Sequence, residues 1–370
     1  MDRSNYKRLG DYIRSVDVRN RDLAVTNLLG VSISKTFIPS IANTIGTDMS
    51  TYKVVEPYQF AYGPVTSRNG DKITFALYKG TEKCIISQAY ETFEIVDKEQ
   101  LDPDYLMMWA LRPEFDRYAR FKSNGSAREI FSWDEMCEVY LPVPDIAIQR
   151  RIVAEYQAVE KRIATNERLI AKLEETAQTI YKKTFVDNVD LTHLPVGWRI
   201  GTLRDIADCF DSKRKPMAGD VRANMARNYP YYGAAALMDY VEDYIFDGEF
   251  VLMGEDGSVC NEDGSPVLQF VRGKMWVNNH AHVLQGKNGF SNSLLYLKLS
   301  STNVTDIITG GVQGKINQEN MFSISVTIPD TKTLSLVNSQ VELIYSQWFL
   351  RNEENNILGK LKDALLSKMS

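Results

Sequence analysis

Residues 146–186 read IAIQRRIVAEYQAVEKRIATNERLIAKLEETAQTIYKKTFV, and this stretch decides the fold. It contains neither proline nor glycine, so as one helix it would be about 60 Å long. Its apolar residues recur with heptad spacing and form one stripe, in which only Asn166 is polar. The stripe consists of Ile152, Tyr156, Val159, Ile163, Ile170, Leu173, Ala177 and Ile180. One small domain cannot bury a stripe of this length, so the pattern predicts a partner helix of similar length.

A second run in the same phase lies between residues 329 and 370. Its stripe consists of Val337, Val341, Ile344, Trp348, Leu358 and Leu365. The register around Asn355 stays open, because Gly359 permits other alignments. Repeats related by a twofold axis that crosses their helices place those helices antiparallel. We therefore expect the two runs to pack as an antiparallel coiled coil.

Shorter segments around the two runs are repeated as well. The repeated pairs are GSAREI at 125–130 with GVQGKI at 311–316, Met136, Val139 and Leu141 with Met321, Ile324 and Val326, Pro144-Asp145 with Pro329-Asp330, and LGDYI at 9–13 with LRDIA at 203–207. The parts between them, about 20–120 and 210–305, share no obvious sequence. The chain therefore consists of two copies of one framework, each enclosing a different globular insert.

This organisation resembles the specificity subunit of type I restriction–modification systems. The short pieces that carry the resemblance are Leu141-Pro-Val-Pro144 with Gln149-Arg-Arg-Ile152, and Leu194-Pro-Val-Gly-Trp198 with Leu203-Arg-Asp-Ile206. The second repeat departs from the pattern, because Leu334 stands where a second glutamine is expected. The order and the doubling of these pieces are a stronger signal than any one of them.

The resemblance implies an α+β fold with two mixed α/β target-recognition domains. These domains are related by a pseudo-twofold repeat and held apart by an antiparallel coiled coil. We predict recognition domains at 1–144 and 188–328, and long spacer helices at 145–187 and 329–370.

The composition permits this interpretation. Apolar residues make up 44% and charged residues 25%, which is typical of a globular protein with its own cores. The four cysteines form no CxxC pair, so reduced thiols are expected rather than a disulfide framework or a zinc knuckle. The first residues lack the apolar core of a signal peptide, and no apolar run is long enough for a membrane span. We expect a cytoplasmic protein.

The charge is less favourable for a protein that binds DNA. Lysine and arginine number 43, aspartate and glutamate 48, and the net charge is −5. Residues 146–186 are an exception with eight basic and five acidic side chains, although such a face is commonly just solvated. We infer that most of the charge that neutralises phosphate comes from a partner subunit, as the resemblance also implies.

The first insert contains five candidate strands, at 52–55, 59–62, 73–78, 84–87 and 93–96, followed by a helix from Tyr105 to Leu111 that resumes at Pro113. Its candidate DNA contacts are loop residues with hydrogen-bond donors: Lys35, Ser67, Arg68, Asn69 and Lys79. Arginine, lysine and asparagine can read base edges in the major groove, although each of these residues could equally be a plain surface residue.

The second insert offers the basic cluster Lys213, Arg214 and Lys215 and the sequence NYPYYG at 228–233. Tyr231 and Tyr232 are similar to a Tyr-Tyr-Gly that many members of the family place early in a recognition domain. Aromatic residues beside cations suit a nucleic-acid surface, but tyrosines more commonly pack in cores. Strands at 268–271 and 274–277 are predicted to form a hairpin whose tip presents Arg272 and Lys274 to DNA.

Three apparent catalytic signals are set aside. Asn228-Tyr-Pro-Tyr231 resembles a methyltransferase motif but lacks an accompanying glycine-rich cofactor loop. GGVQGK at 310–315 has too few residues between its glycines for a phosphate loop. His280 and His282 could share a metal ion, but no third ligand stands nearby, so a structural role is favoured.

We therefore predict a non-catalytic subunit in which each insert reads one half of a bipartite, asymmetric DNA target, while the helices set the gap. By resemblance its partners are double-stranded DNA, two adenine methyltransferase subunits, and restriction–translocase subunits. S-adenosylmethionine, ATP and Mg²⁺ would belong to those partners. Two other classes stay open: a single-chain nuclease, and a scaffold or anti-restriction protein that does not read DNA.

Overall fold

The computed structural model describes residues 5–41, 46–67, 69–123, 129–187, 189–310 and 313–369. Arg68, most of the GSAREI segment and the start of the GVQGKI segment lie outside these ranges. The chain forms two compact units. Unit 1 comprises Met1–Thr165 with Asn355–Ser370, and unit 2 comprises Asn166–Glu354. Each unit thus contains one predicted recognition domain and part of both long helices.

Unit 1 combines short strands with three short helices and the beginning of a long one. Its elements are β1 (Tyr6–Arg8), β2 (Ile13–Ser15), β3 (Leu29–Val31), β4 (Phe37–Pro39), β5 (Lys53–Val55), β6 (Phe60–Tyr62), β7 (Phe75–Leu77), β8 (Cys84–Ile86), β9 (Glu91–Ile95), α1 (Pro103–Ala110), α2 (Pro113–Lys122), α3 (Trp133–Cys137), β10 (Tyr140–Pro142) and α4 (Ile146–Phe185). All five predicted strands are present. The predicted helix pair is confirmed too, because Asp102 caps α1 and a proline begins each helix.

The core of unit 1 is rich in aromatic side chains. The sheet β2-β9-β6-β7 carries Phe60, Phe75 and Phe93, and the rings of Phe60 and Phe93 stack at 4.9 Å. Phe115 of α2 meets Phe75 edge to face at 5.3 Å, which fixes that helix on the sheet.

Unit 2 is built on a larger sheet. Its elements are β11 (Arg199–Thr202), α5 (Leu203–Ile206), β12 (Ala207–Cys209), α6 (Gly219–Ala223), β13 (Tyr229–Tyr232), β14 (Leu237–Val241), β15 (Phe246–Gly254), β16 (Leu268–Val277), β17 (Ala281–Gly286), α7 (Asn292–Ser300), α8 (Gln318–Phe322), β18 (Ser325–Ile328) and α9 (Thr331–Ser367). Six strands pair in the order β12-β17-β15-β16-β13-β14, antiparallel except for β13 with β16.

The predicted hairpin around Arg272 and Gly273 is wrong. Residues 268–277 form one continuous strand that pairs with β15, with Gly273 opposite Gly248. Both glycines have positive φ, +98° and +139°, a conformation that is strained for other residues. The ladder therefore continues past the glycine instead of turning, and Arg272 is not at a tip.

The repeated framework predicted from the sequence is confirmed in both units. β1 pairs with β10 in unit 1, and β11 pairs with β18 in unit 2, both antiparallel. The amide of Leu9 donates to Val139 O and the amide of Leu203 donates to Ile324 O, each at 2.8 Å. The five-residue helices α3 and α8 precede the second strand in each case. The same hydrogen bonds thus hold each insert at the point where the chain enters and leaves it.

The two long helices are confirmed as an antiparallel pair. Every residue predicted in the two stripes is buried or half-buried. In unit 2, Asn166 Nδ2 donates to Glu354 Oε2 at 3.0 Å, and Trp348 Nε1 donates to Glu174 Oε1 at 2.8 Å. In unit 1, Lys362 pairs with Glu160 at 2.9 Å. The helices also pack on the inserts, since Phe349 lies 4.9 Å from Phe270 of the sheet in unit 2.

The departure at the start of the second helix has a structural counterpart. Gln149 of α4 is fully buried, donates to the carbonyls of Gln100 and Pro144, and accepts from the amide of Asp102. Leu334, at the equivalent position of α9, is buried in the apolar core. Within the described ranges no helix is both long and apolar enough to cross a membrane.

Candidate nucleic-acid interface

Five loops of unit 2 meet where β15 ends and β17 begins. The amide of Glu255 donates to His280 O at 2.9 Å, and the amide of Gly257 donates to Gly314 O at 3.0 Å. The Arg214 guanidinium donates to Ala281 O at 2.7 Å, and the amide of Asn278 donates to Tyr232 O at 3.1 Å. We call this surface the loop cluster; its segments are 213–217, 233–236, 255–258, 278–280 and 313–315.

A buried polar network holds the loop cluster in place. His282 is fully buried, and its ring nitrogens face Asp211 Oδ2 at 2.6 Å and Ile316 O at 2.8 Å. Both of these atoms are acceptors, so the ring must donate from both nitrogens. Arg214 completes the network, with one nitrogen 2.6 Å from Glu255 and another 3.3 Å from Asp211.

The carboxylate of Asp211 is the centre of this network. Burial alone would raise its pKa, but the hydrogen bonds from His282 and the amide of Val283 lower the pKa to about 2. Gln318 Nε2 donates to the same carboxylate at 2.7 Å. The network therefore keeps Asp211 ionised in a site that excludes most water.

The same place contains a group of three metal-capable side chains. Ligand atoms of Cys209, Asp211 and His282 lie within 4.8 Å of one another. However, both nitrogens of His282 are already hydrogen-bonded, and burial raises the pKa of the Cys209 thiol to about 12. A cation would also have to compete with the nearby Arg214. These donors fit a closed hydrogen-bond network rather than a metal site.

Around this network the loop cluster presents exposed polar side chains. They are Lys213, Lys215, Asn279, His280, Gln313 and Lys315. His280 Nδ1 lies 2.5 Å from Asp256 Oδ1, and Lys315 Nζ lies 3.4 Å from Glu255 Oε1. Asparagine and glutamine can bond adenine in a bidentate manner, and lysine can contact guanine or phosphate. The cluster thus combines base-reading and phosphate-binding groups on a rigid support.

The structure separates the predicted contacts of unit 2 into two groups. Lys213 and Lys215 are exposed in the loop cluster. Arg214 and Tyr231 are internal: Arg214 belongs to the buried network, and the hydroxyl of buried Tyr231 accepts from the amide of Met217. Tyr232 is half-buried in β13, and burial raises its pKa. Arg214 and Tyr231 therefore support the surface and cannot contact DNA themselves.

Arg272 and Lys274 lie within β16. Arg272 bonds Glu249 at 2.7 Å, and its guanidinium stacks on Phe349 of α9 at 4.1 Å, so it is committed to packing on the helix. Lys274 is exposed, with its ammonium 4.5 Å from the ring of Tyr244. Its hydrogen bond with Tyr244 raises the pKa of Lys274, which keeps the cation charged.

In unit 1 the prediction for Lys35 is corrected. Its ammonium is buried, donates to Ala110 O at 2.5 Å and pairs with Asp116 at 2.9 Å, so it cannot reach DNA. Lys79 is exposed and pairs with Asp104. Ser67 is exposed, and the side chain of half-buried Asn69 donates to Val65 O at 3.3 Å. The predicted contact by Arg68 falls outside the described residues.

Comparison with known proteins bears on unit 2 first. Residues 195–342 match the model of a family described as the type I restriction modification DNA specificity domain. This segment belongs to that family. It contains the whole loop cluster, which is therefore part of the specificity domain.

Two further similarities support the assignment. The chain is 37% identical over 147 residues to a putative type I restriction enzyme specificity subunit of Haemophilus influenzae. That match covers 40% of this chain and 36% of the relative, so it spans little more than a third of the relative's length. The fold is similar to the crystal structure of a type I restriction–modification S subunit from M. genitalium. The TM-score is 0.62 at 14% identity, over 98% of this chain and 95% of that one.

Four exposed residues of the specificity domain were not predicted as DNA contacts: Asn279, His280, Gln313 and Lys315. The sequence did hold a signal for two of them, because Gln313 and Lys315 lie in the repeated GVQGKI segment, which we interpreted only as a turn. Asn279 and His280 belong to a segment considered only for metal binding. Their convergence depends on tertiary contacts between segments far apart in sequence.

Replacing Asn279 and Gln313 together with alanine is expected to weaken binding to the target and relax its sequence at the contacted positions. Each lost bidentate contact to a base costs about 1–3 kcal/mol of discrimination. The measurement is a competition assay with target duplexes carrying single base changes. Gln178→Ala, on the exposed side of α4, removes a similar amide and should leave discrimination unchanged. Unaltered discrimination in the double variant would place base reading elsewhere.

Proposed function

We propose that this chain is the DNA-recognition subunit of a type I restriction–modification complex. The observation that carries the proposal is the doubled framework, one copy of which lies in a segment of the specificity-domain family. The same hydrogen bonds frame a second and different insert in unit 1. A chain with two such inserts is suited to hold two readers of DNA.

The two inserts differ enough to read different sequences. Unit 1 contains a four-stranded sheet with additional two-stranded sheets, whereas the sheet of unit 2 has six strands in another order. Base recognition depends on where side chains project, so these frameworks present different sets of donors. We infer a bipartite and asymmetric target, with one part for each unit.

The long helices suit the role of a spacer. α4 and α9 each continue without a break from one unit into the other, and their shared stripe is buried throughout. A packed helix pair resists bending and twisting better than a flexible linker. We propose that its length sets the number of unread base pairs between the two parts of the target.

The chemistry is assigned to partners. We propose that two adenine methyltransferase subunits modify the target with S-adenosylmethionine. Restriction–translocase subunits would use ATP and Mg²⁺ to cleave DNA that lacks the modification. In this proposal the chain itself is not a catalyst and selects the site at which its partners act.

One surface of α9 fits a helical partner. Four exposed apolar residues recur every seven positions: Leu336, Leu343, Leu350 and Ile357. The heptad spacing places them on one face, distinct from the buried stripe. Such a line of exposed apolar side chains is typical of a face that another helix covers.

Replacing Leu343 and Leu350 with glutamate is expected to weaken association with a methyltransferase subunit by at least about tenfold, because burying leucine contributes roughly 1.5–3 kcal/mol. Their side chains are 67% and 48% exposed, so the fold should be unaffected. Gln340→Glu with Gln347→Glu adds the same charge to exposed positions of the same helix and serves as the control. Isothermal titration measures the affinities; equal affinities for both variants would move the partner to another surface.

The decisive experiment is single-molecule sequencing of DNA from cells that express the neighbouring methyltransferase with and without this chain. Methyladenine at one bipartite motif only when the chain is present would establish the recognition role and reveal the target. Methylation that does not depend on the chain, in a system shown to be active, would favour a scaffold that does not read DNA.

A further inference from the structure

Unit 1 contains a groove of about 730 Å³ between the loop that follows β3, the loop that precedes β7, and helix α2. The side chains that matter to its chemistry are Lys35, Asp71, Lys72, Arg117, Arg120 and Phe121. None of them except Lys35 was considered as a DNA contact from the sequence, and Lys35 lies at the base of the groove rather than at its rim.

The base of the groove is electrically closed. Lys35 and Asp116 form a buried ion pair at 2.9 Å, and Asp116 Oδ1 also accepts from the amide of Ile73 at 3.1 Å. Burial lowers the pKa of Lys35, while the hydrogen bond from Lys35 to Asp116 opposes this shift. Lys35 also holds a backbone φ of +62°, which is costly for a residue with a side chain. The pair thus gives the groove a rigid and neutral base.

The rim is positively charged. Lys72, Arg117 and Arg120 stand against Asp71, which leaves a local excess of two positive charges in a chain whose net charge is −5. Arg117 pairs with Glu114 at 2.9 Å, and Arg120 pairs with Glu129. Ion pairs exposed in this way contribute little stability, so a phosphate can replace these carboxylates at small cost. The rim is therefore suited to bind an anion with repeated charges.

Phe121 gives the groove an apolar contact beside these cations. Its side chain is 82% exposed, the largest value among the aromatic residues that the structure describes. An aromatic ring next to arginines can pack on sugars and bases while the cations bind phosphates. The loop with the predicted contacts Ser67 and Asn69 adjoins this end of α2, since Thr66 Oγ1 donates to Ser123 Oγ at 2.9 Å.

We propose that this groove is where unit 1 binds duplex DNA. Lys72, Arg117 and Arg120 contact consecutive phosphates, and Phe121 packs against the nucleotides between them. The inference rests on the proposed recognition function and adds to it the surface that unit 1 uses. It also identifies the groove as a positioning site, because phosphate contacts fix register without reading sequence.

The test measures binding of the chain with its methyltransferase partner to two duplexes, one with the methylated motif and one with that motif scrambled. Fluorescence anisotropy is recorded over a range of salt concentrations. Replacing Lys72, Arg117 and Arg120 with alanine should lower the slope of log affinity against log salt by about 0.9 for each contact, to the same extent on both duplexes. Phe121→Ala should weaken binding about tenfold.

Arg14→Ala is the matched control. The side chain of Arg14, like that of Arg117, is 68% exposed and pairs with a glutamate, but Arg14 does not line the groove. If the unaltered complex shows no preference for the motif, the proposed function itself fails. If it shows the preference while the groove variants behave like Arg14→Ala, the groove proposal is overturned. A loss of subunit assembly with unchanged DNA affinity would also overturn it and assign the groove to a protein partner.

Discussion

Inserting one heptad into each long helix is expected to lengthen the unread gap of the target by about three base pairs and to leave both recognised parts unchanged. Seven helical residues add about 10 Å, and a base pair rises about 3.4 Å. The insertions belong between Thr165 and Asn166 and between Glu354 and Asn355. Those positions are the boundaries of the two units, so each unit keeps its own contacts.

Methylation mapping of cells carrying the lengthened chain measures the new gap directly. A whole heptad preserves the stripe, since the apolar pattern repeats every seven residues. The control substitutes the same number of exposed residues without changing length, and its target should keep the original gap. An unchanged gap in the lengthened chain would exclude the helices as the spacer.

His282→Ala is expected to destabilise unit 2 by about 3–5 kcal/mol, because it leaves the buried carboxylate of Asp211 without its main partner. The effect should be concentrated on β17, where the amide of Val283 donates to Asp211 at 2.9 Å. Hydrogen exchange of that strand measures it. His280→Ala is the control, since that histidine also pairs with an aspartate but is 48% exposed. Its cost should be within about 0.5 kcal/mol, and equal costs would mean that burial of the pair is unimportant.

The same network predicts a pH dependence with a defined sign. The folded-state pKa of Asp211, about 2, lies below its ordinary value of 3.8. The stability that the ionised carboxylate contributes is therefore complete above about pH 4 and is lost as the pH falls towards 2. The loss should be about 2 kcal/mol. Asp211→Asn should remove this part of the acid dependence, and an unchanged profile would assign the dependence to other carboxylates.

The helices and the framework could be predicted because their signals are local and periodic. The heptad stripe, the Pro-Asp pairs and the repeated apolar residues each specify a short segment. The capping role of those pairs is visible in the structure, where Asp145 and Asp330 accept from amides of the first turns. Even the missing second glutamine has its explanation in the core around Leu334.

The errors concern features that arise from pairing between distant segments. Gly273 suggests a turn when considered alone, but in the sheet it faces Gly248 and continues the strand. Lys35 looks like a loop cation until Asp116, far along the chain, buries it. The loop cluster could not be assembled from sequence, because Asn279 and Gln313 come together only through the backbone contacts of Glu255 and Gly257.

The pair formed by Asn166 and Glu354 has a consequence for accuracy of assembly. A heptad stripe cannot by itself distinguish the correct alignment from one displaced by seven residues, because apolar side chains meet in both. Displacement would bring fully buried Asn166 opposite Gln347 or Leu361 instead of Glu354. A neutral amide or a hydrocarbon would then replace a charged acceptor, which makes the slipped form costly. One polar contact thus protects the chain against miscounting by a whole heptad.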